Sequence, residues 1–258
     1  MTDSDGQPAE GVVVDAAYCE VELGRLYDAE CPWHPQDDFY LALDRQAGSV
    51  LDVGCGTGTR LGAARARGHR GDLVGVDPGA GMLAVAREKA PDVEWLSGAA
   101  QTLDVGRRFD LVTMTGHAFQ VLLDDDAVAC ALHRFRDHLE PGGLLAFETR
   151  NPARRAWEGW TEQRTRAEYA GPGGEPFESW VHDARPHDGD LVTFYATTRW
   201  PATGRERTEA STLRFIDPGR LRDHLRDSGF RVEGWFGDWD RRPVGDDSPE
   251  VVVLARPA

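Results

Sequence analysis

The chain has 258 residues and a formal net charge of −15, with 44 acidic and 29 basic residues. This length is enough for one large α/β domain or two small ones, and the acidic charge disfavours a nucleic-acid partner. Because no apolar run is long enough to span a membrane and the four cysteines form no CxxC pair, we expect a cytoplasmic protein without a membrane span, disulfides or a metal site.

The N-terminal part is predicted to be helical. Apolar residues at helical spacing predict one helix over residues 14–27 and another over 39–43. Between them, Tyr27 and Trp33 lie in a segment that is too aromatic for an ordinary linker. These two side chains either pack on the core or cover a bound ligand, and the sequence leaves both interpretations open.

A strand, a glycine turn and a helix follow. Residues 50–53 predict a short buried strand, and Gly54, Gly56 and Gly58 occupy alternate positions after it. Residues 59–67 carry Ala and Leu at helical spacing. Glycines allow a ligand to approach the backbone, and the free amides of the helix N-terminus point toward the space above the turn.

The residues around the glycines restrict the class of ligand. A dinucleotide fingerprint requires a further glycine where this chain has Thr59, and no lysine follows at the spacing of a phosphate-binding loop. Asp52 places a carboxylate at the end of the strand, just before the glycines. The pattern therefore favours a ligand that carries an ammonium or another cation over one that carries a pyrophosphate.

The sequence then alternates strands and helices, as in a parallel sheet. Asp77 ends the second strand about 20 residues after the glycines, the interval at which an acidic residue accepts ribose hydroxyls in this topology. His117 follows the fourth strand, whose carboxyl end should face the crevice of a doubly wound sheet. The predicted strands span residues 72–76, 93–96, 107–114 and 144–147, and the predicted helices span 80–89 and 127–139.

Residues 151–216 differ in character, because they contain four tryptophans and runs of alternating polarity. We predict an inserted antiparallel excursion of two or three strands, with turns at 187–190 and 201–204. A helix over 218–228 and strands over 230–236 and 251–255 are predicted to end the chain.

The stretch Leu51-Asp52-Val53-Gly54-Cys55-Gly56-Thr57-Gly58 resembles the first motif of the class I S-adenosylmethionine-dependent methyltransferases of the small-molecule type. This resemblance implies an α/β fold with a doubly wound, seven-stranded, Rossmann-like sheet. The last two strands would be the reversed pair at the sheet edge. The implied parts of this single domain are a helical lid (1–45), a cofactor-binding core (46–150), a β-rich insertion over the acceptor pocket (151–216) and the rest of the core (217–258).

The resemblance also implies S-adenosylmethionine as the cofactor and S-adenosylhomocysteine as its product. In this family the glycine motif holds the methionine part, an acidic residue such as Asp77 holds the ribose, and a residue at the position of Met82 packs on the adenine. Family members usually have an acidic residue where this chain has Ala99, so we expect the backbone of Ala99 or Ala100, or the side chain of Gln101, to contact the adenine. The predicted cofactor-binding residues are Tyr27, Trp33, Asp52, Gly54, Cys55, Gly56, Gly58, Asp77, Pro78, Met82, Ala99, Ala100, Gln101 and Thr115.

Methyl transfer from a sulfonium requires an aligned acceptor and neither a metal nor a covalent nucleophile. If the acceptor is a hydroxyl or a protonated amine, a base with a pKa near neutrality helps, and histidine has such a pKa. His117, by its position, and His182, in the insertion, are the candidate catalytic bases. Each is alternatively a histidine with a structural role.

The predicted function is transfer of a methyl group to oxygen, nitrogen or carbon of a small metabolite or natural product, by a cytoplasmic monomer or homodimer. Two alternatives use the same cofactor: a cyclase or eliminase that retains the methyl group, and a non-catalytic cofactor sensor. A nicotinamide-dependent oxidoreductase is less favoured because Thr59 replaces the required glycine.

Overall fold

The computed structural model describes residues 15–258 and begins with three helices, α1 (Ala16–Cys19), α2 (Val21–Glu30) and α3 (Pro35–Asp44). The continuous helix predicted over 14–27 is wrong, because the chain is extended at Glu20 (φ −103°, ψ 128°); residue 14 lies outside the described residues. A Cβ on Gly81 would lie 2.4 Å from the Glu20 carbonyl carbon. The break in the helix therefore packs directly against the backbone of another element.

Five strands and three helices alternate in the next part of the chain. The strands are β1 (Ser49–Val53), β2 (Asp72–Asp77), β3 (Glu94–Ser97), β4 (Phe109–Met114) and β5 (Leu139–Arg150), and the helices are α4 (Thr59–Ala66), α5 (Ala80–Lys89) and α6 (Asp125–Asp137). Neighbouring strands pair in parallel in the order β3-β2-β1-β4-β5. Strand β5 begins earlier than predicted because Leu139 already pairs with Phe109, and the register then shifts before the pairing resumes.

The insertion forms a separate antiparallel sheet. After the short helix α7 (Glu162–Thr165) come β6 (Ala167–Ala170), β7 (Pro176–His187), β8 (Leu191–Trp200) and β9 (Arg205–Arg214). These four strands pair in chain order, so the prediction of two or three strands was too low. The predicted turns at 187–190 and 201–204 are confirmed as the connections on either side of β8.

Helix α8 (Pro218–Asp227) and strands β10 (Phe230–Phe236) and β11 (Glu250–Pro257) complete the chain. Strand β11 runs antiparallel to β5, and β10 pairs with the outer edge of β11. The resulting order, β10-β11-β5-β4-β1-β2-β3, confirms the predicted seven-stranded sheet with its reversed pair. One buried apolar cluster joins this sheet to α6 and α8, and another joins it to α3, α4 and α5.

No helix within residues 15–258 is both long enough and apolar enough to cross a lipid bilayer.

Candidate functional site

The glycine turn after β1 has a left-handed backbone at all three glycines, with φ of 73° at Gly54, 54° at Gly56 and 72° at Gly58. A side chain is disfavoured in this conformation. A Cβ on Gly58 would lie 2.4 Å from the ring of Trp95, whereas one on Gly56 would meet no atom of the described residues within 4 Å. Gly58 therefore allows close packing against β3, and Gly56 leaves space open in front of the turn.

Asp77 lies beside this turn, at the end of β2. Its buried carboxylate accepts hydrogen bonds from the backbone amides of Gly56 (2.8 Å) and Gly79 (2.7 Å). Burial raises the pKa of Asp77 to about 6. The carboxylate thus joins the glycine turn to the start of α5 and provides a hydrogen-bond acceptor at the carboxyl edge of the sheet.

A cavity of about 260 Å³, which we call the inner cavity, lies over the turn. The structure brings most of the predicted cofactor-binding residues together there. Those that line it are Tyr27, Gly54, Gly56, Asp77, Pro78, Met82, Ala99, Ala100, Gln101 and Thr115. Ala99 and Ala100 are buried and Gln101 is half-buried. None of these three side chains carries a charge, so they form an uncharged wall of the cavity.

A second cavity of about 380 Å³, the outer cavity, adjoins the inner one. The residues that line both cavities are Tyr18, Tyr27, Gly54, Gly56, Thr115 and Gly116. The remaining walls come from the N-terminal helices, the end of β5 and the second sheet. Asp52, Cys55, Trp33 and His117 also line the outer cavity, whereas Gly58 lines neither.

Aromatic residues near the N-terminus line the cavities: Tyr18 and Tyr27 line both, and Trp33 lines the outer one. The Trp33 indole donates to Asp38 (3.0 Å), and the guanidinium of Arg67 lies 4.8 Å from its ring. Tyr18 and Tyr27 meet edge to face, with ring centroids 6.4 Å apart. Sequence reasoning did not select Tyr18, because in the continuous helix that was predicted, nine residues would place it on the face opposite Tyr27; the break at Glu20 brings the two rings together.

Asp52 belongs to a buried group of charges. Its Oδ1 lies 2.8 Å from Nη2 of Arg60 and accepts a hydrogen bond from Thr113 (2.9 Å). The same guanidinium also bonds Asp44 at the end of α3, and all three charged side chains are buried. The charge of Asp52, expected to be free for a cationic ligand, is therefore shared with Arg60, a residue that sequence reasoning missed.

His117 lies at the end of β4, in a left-handed conformation (φ 62°). Its backbone amide donates to Oε1 of Glu148 (2.7 Å), and the Tyr40 hydroxyl donates to the other oxygen of the same carboxylate. Its Nε2 lies 3.0 Å from Glu250. Burial raises the pKa of Glu148. A glutamate directly after the apolar run of residues 144–147 was the available signal for Glu148; Glu250 had none.

The structure does not bring His182 to either cavity. Its Nε2 lies 3.0 Å from the Thr197 hydroxyl, and its ring stacks on Tyr195, which is 40% exposed. Phe194, the neighbour of Tyr195 on β8, lines the outer cavity instead. Because successive side chains of a strand point to opposite faces, His182 lies on the face that points away from the cavities.

Comparison with known proteins gives one family and a consistent fold. A family model described as a methyltransferase domain matches residues 50–143. The dTDP-3-amino-3,4,6-trideoxy-alpha-D-glucopyranose N,N-dimethyltransferase of Streptomyces venezuelae is 26% identical over 82% of this chain and 87% of its own length. Neither similarity supports the alternatives of a cyclase, a cofactor sensor or a nicotinamide-dependent oxidoreductase.

Two solved structures share the fold. A sugar N-methyltransferase from Streptoalloteichus sp. has a TM-score of 0.73 at 21% identity, with 99% of each chain covered. An S-adenosylmethionine-dependent methyltransferase from Clostridium acetobutylicum has a TM-score of 0.70 at 16% identity, with 90% of this chain and 96% of the other covered.

Proposed function

Because this chain belongs to the class I S-adenosylmethionine-dependent methyltransferases and acts on a small molecule, we propose that it methylates the nitrogen of an amino sugar, with His117 as the general base. The similarity to the Streptomyces venezuelae relative, which is named for an amino-sugar substrate, supports this acceptor class. The acceptor would occupy the outer cavity, and the second sheet, through Phe194, would form part of its roof.

The inner cavity fits the cofactor. Gly56 leaves the space in front of the turn free, and Asp77 can accept hydrogen bonds from ribose hydroxyls. Tyr27, which lines both cavities, would cover the cofactor, and Asp52 with Arg60 would face its amino-acid end. When bound, S-adenosylmethionine supplies a methyl group that the positive sulfur has already activated.

His117 carries the proposal, because its ring is held in one orientation in the wall of the outer cavity, next to Gly116, which lines both cavities. When Nε2–H donates to Glu250, the lone pair on Nδ1 is available. Nδ1 has no hydrogen-bond partner within residues 15–258. His117 can therefore take a proton from an ammonium in the outer cavity, and Glu250 stabilises the imidazolium that results.

The charges around His117 favour an amine over a hydroxyl acceptor. The carboxyl groups of Glu148 and Glu250 contact the backbone and the ring of His117. When nitrogen accepts a methyl group, positive charge moves onto the acceptor, and nearby carboxylates stabilise that charge. Methylation of a hydroxyl leaves no such cation.

The test compares a dTDP-linked 3-amino sugar with the analogue that has a hydroxyl in place of the amine. Mass spectrometry should detect N-methylated sugar and S-adenosylhomocysteine with the amine only. His117→Ala should lower turnover by roughly a hundredfold or more, the usual contribution of a general base, with unchanged S-adenosylhomocysteine affinity in calorimetry. His133→Ala, an exposed histidine on α6, is the matched control, and His182→Ala tests the second predicted base.

Full turnover by His117→Ala contradicts the role of this residue, and methylation of the hydroxyl analogue alone contradicts the acceptor class. Operation in the cytoplasm, as a monomer or homodimer, belongs to the same proposal, and the net charge of −15 supports the absence of a nucleic-acid partner. Light scattering of the purified protein measures the oligomeric state.

A further inference from the structure

In the wall of the outer cavity, Arg150 is a cation that has no carboxylate partner among residues 15–258. It ends strand β5 and lines the cavity. Its Nη1 donates to Oε1 of Gln120 (2.8 Å), and within residues 15–258 its Nε and Nη2 have no hydrogen-bond partner. No carboxylate of the same residues lies within ion-pair distance of the guanidinium. Within the described part of the chain, Arg150 therefore does not form the exposed salt bridge that is usual for a surface arginine.

The guanidinium of Arg150 is partly desolvated but its free donors are accessible. Burial lowers the pKa of Arg150, and the more distant charges of Glu250 and Glu148 offset that effect in part. Within residues 15–258, Nε and Nη2 are not among the fully buried polar atoms that lack a partner, so they remain open to the outer cavity. A ligand that supplies acceptor oxygens can therefore reach donors that have already lost part of their water.

The guanidinium is also held in place. It lies 5.3 Å from the ring centroid of Trp160, which in turn packs on Phe194 at 4.8 Å. Gln120 is buried and is itself fixed by a hydrogen bond to the carbonyl of Arg214 (2.9 Å). A planar, preoriented fork of this kind binds the two oxygens of a carboxylate or phosphate better than a flexible lysine does.

We infer that Arg150 is a specificity-determining residue that binds an anionic oxygen group, carboxylate or phosphate, of the methyl acceptor. This inference rests on the proposed function, because it takes the outer cavity as the acceptor site. Arg150 and Glu250 are directly paired on adjacent antiparallel strands, and Glu250 holds His117. The anionic group would therefore bind on the same part of the cavity wall as the nitrogen that is methylated.

The test is calorimetry on the full chain saturated with S-adenosylhomocysteine, at low ionic strength. Sodium pyrophosphate and inorganic phosphate probe the phosphate source, and acetate and benzoate probe the carboxylate source. We expect at least one of these anions to bind with a dissociation constant on the order of millimolar or tighter. Arg150→Met should weaken that binding by about tenfold or more, the effect of losing a hydrogen bond to a charged group.

Arg154→Met, which removes an exposed arginine outside the cavities, is the matched control and should leave anion binding unchanged. If Arg150→Met does not unfold cooperatively, Arg150→Lys is used in its place. Lysine keeps the charge but lacks the planar fork of donors, so Arg150→Lys should weaken anion binding by about threefold or more. The inference is overturned if no anion binds the wild-type complex or if the Arg150 variant binds equally well. Failure of S-adenosylhomocysteine itself to bind would instead contradict the proposed function.

Discussion

Arg60→Met removes the cation that lies between the buried carboxylates of Asp44 and Asp52. Methionine is of similar length and fills much of the same volume, so the main effect is electrostatic. In the wild-type protein the guanidinium bonds both carboxylates and also donates to the Thr113 hydroxyl (2.6 Å). The variant leaves two buried carboxyl groups without their cation, one from α3 and one from the end of β1.

The expected loss of stability follows from this burial. The exposed fractions of the side chains are 5% for Arg60, 0% for Asp44 and 3% for Asp52. Removing one partner of a buried ion pair typically costs about 3–5 kcal/mol, mainly because the remaining charge is left unpaired. Since whole domains are stable by about 5–15 kcal/mol, the variant should still fold but unfold at a clearly lower urea concentration.

The loss should also depend on pH. Burial already raises the pKa of Asp44 in the folded state, and Arg60 opposes that shift. Without Arg60 the folded pKa rises further above the unfolded value of about 3.9. Near and below that unfolded value Asp44 is protonated in both states, so the penalty is small there and grows as the pH rises through the folded pKa.

Urea unfolding of the wild type and the variant at several pH values between 5 and 8 measures both effects. Arg25→Met is the control, because the Arg25–Glu88 pair is exposed and should contribute less than about 1 kcal/mol. Arg60→Met/Asp44→Asn should recover part of the loss, since it removes one of the two stranded charges. A loss below about 1 kcal/mol, or one that is independent of pH, would refute the reasoning.

Two further variants test the cofactor side of the site. Gly58→Ala should lower the free energy of unfolding in urea by about 2–4 kcal/mol, because alanine is strained at φ 72° and its Cβ would overlap Trp95. Gly68→Ala is the control for the backbone strain alone, because φ is 93° there and no described atom lies within 4 Å of the added Cβ. Equal losses in the two variants would contradict the packing role of Gly58. In the wild type, S-adenosylhomocysteine affinity should fall as the pH is lowered through about 6, because protonated Asp77 is a weaker acceptor for ribose hydroxyls. Asp77→Asn should bind about tenfold more weakly with a flatter pH profile in calorimetry, and an unchanged profile would remove Asp77 from this role.

The cofactor side of the site was predictable because its residues are local in sequence. Each lies at the carboxyl end of a strand or in the turn that follows, and parallel strands bring those ends to one edge. Gly56, Asp77 and Thr115 were identified on that basis, and the structure places all three at the inner cavity. Their exact contacts with the cofactor stay a prediction.

Contacts between residues that are far apart in the chain were much less predictable. Glu250 reaches His117 only because β11 returns beside β5, and Arg60 reaches Asp52 and Asp44 only when α3 and α4 pack on the same face of the sheet. His182 illustrates the same difficulty within a strand. The alternation of side chains along a strand predicts that the neighbours of His182 lie on the opposite face of the sheet from His182. Only the pairing with β8 shows which of the two faces meets the cavity.

The sequence by itself determined the alternation of strands and helices and the glycine turn, because these depend on residue spacing and backbone conformation within short segments, and the resemblance of its glycine motif implied the cofactor. Only the tertiary structure decided which charges pair in the interior, which histidine meets the cavities and that Arg150 is left without a carboxylate within the described residues. Such pairings join residues that are distant in the chain, and their energies depend on burial and register, which no local pattern contains.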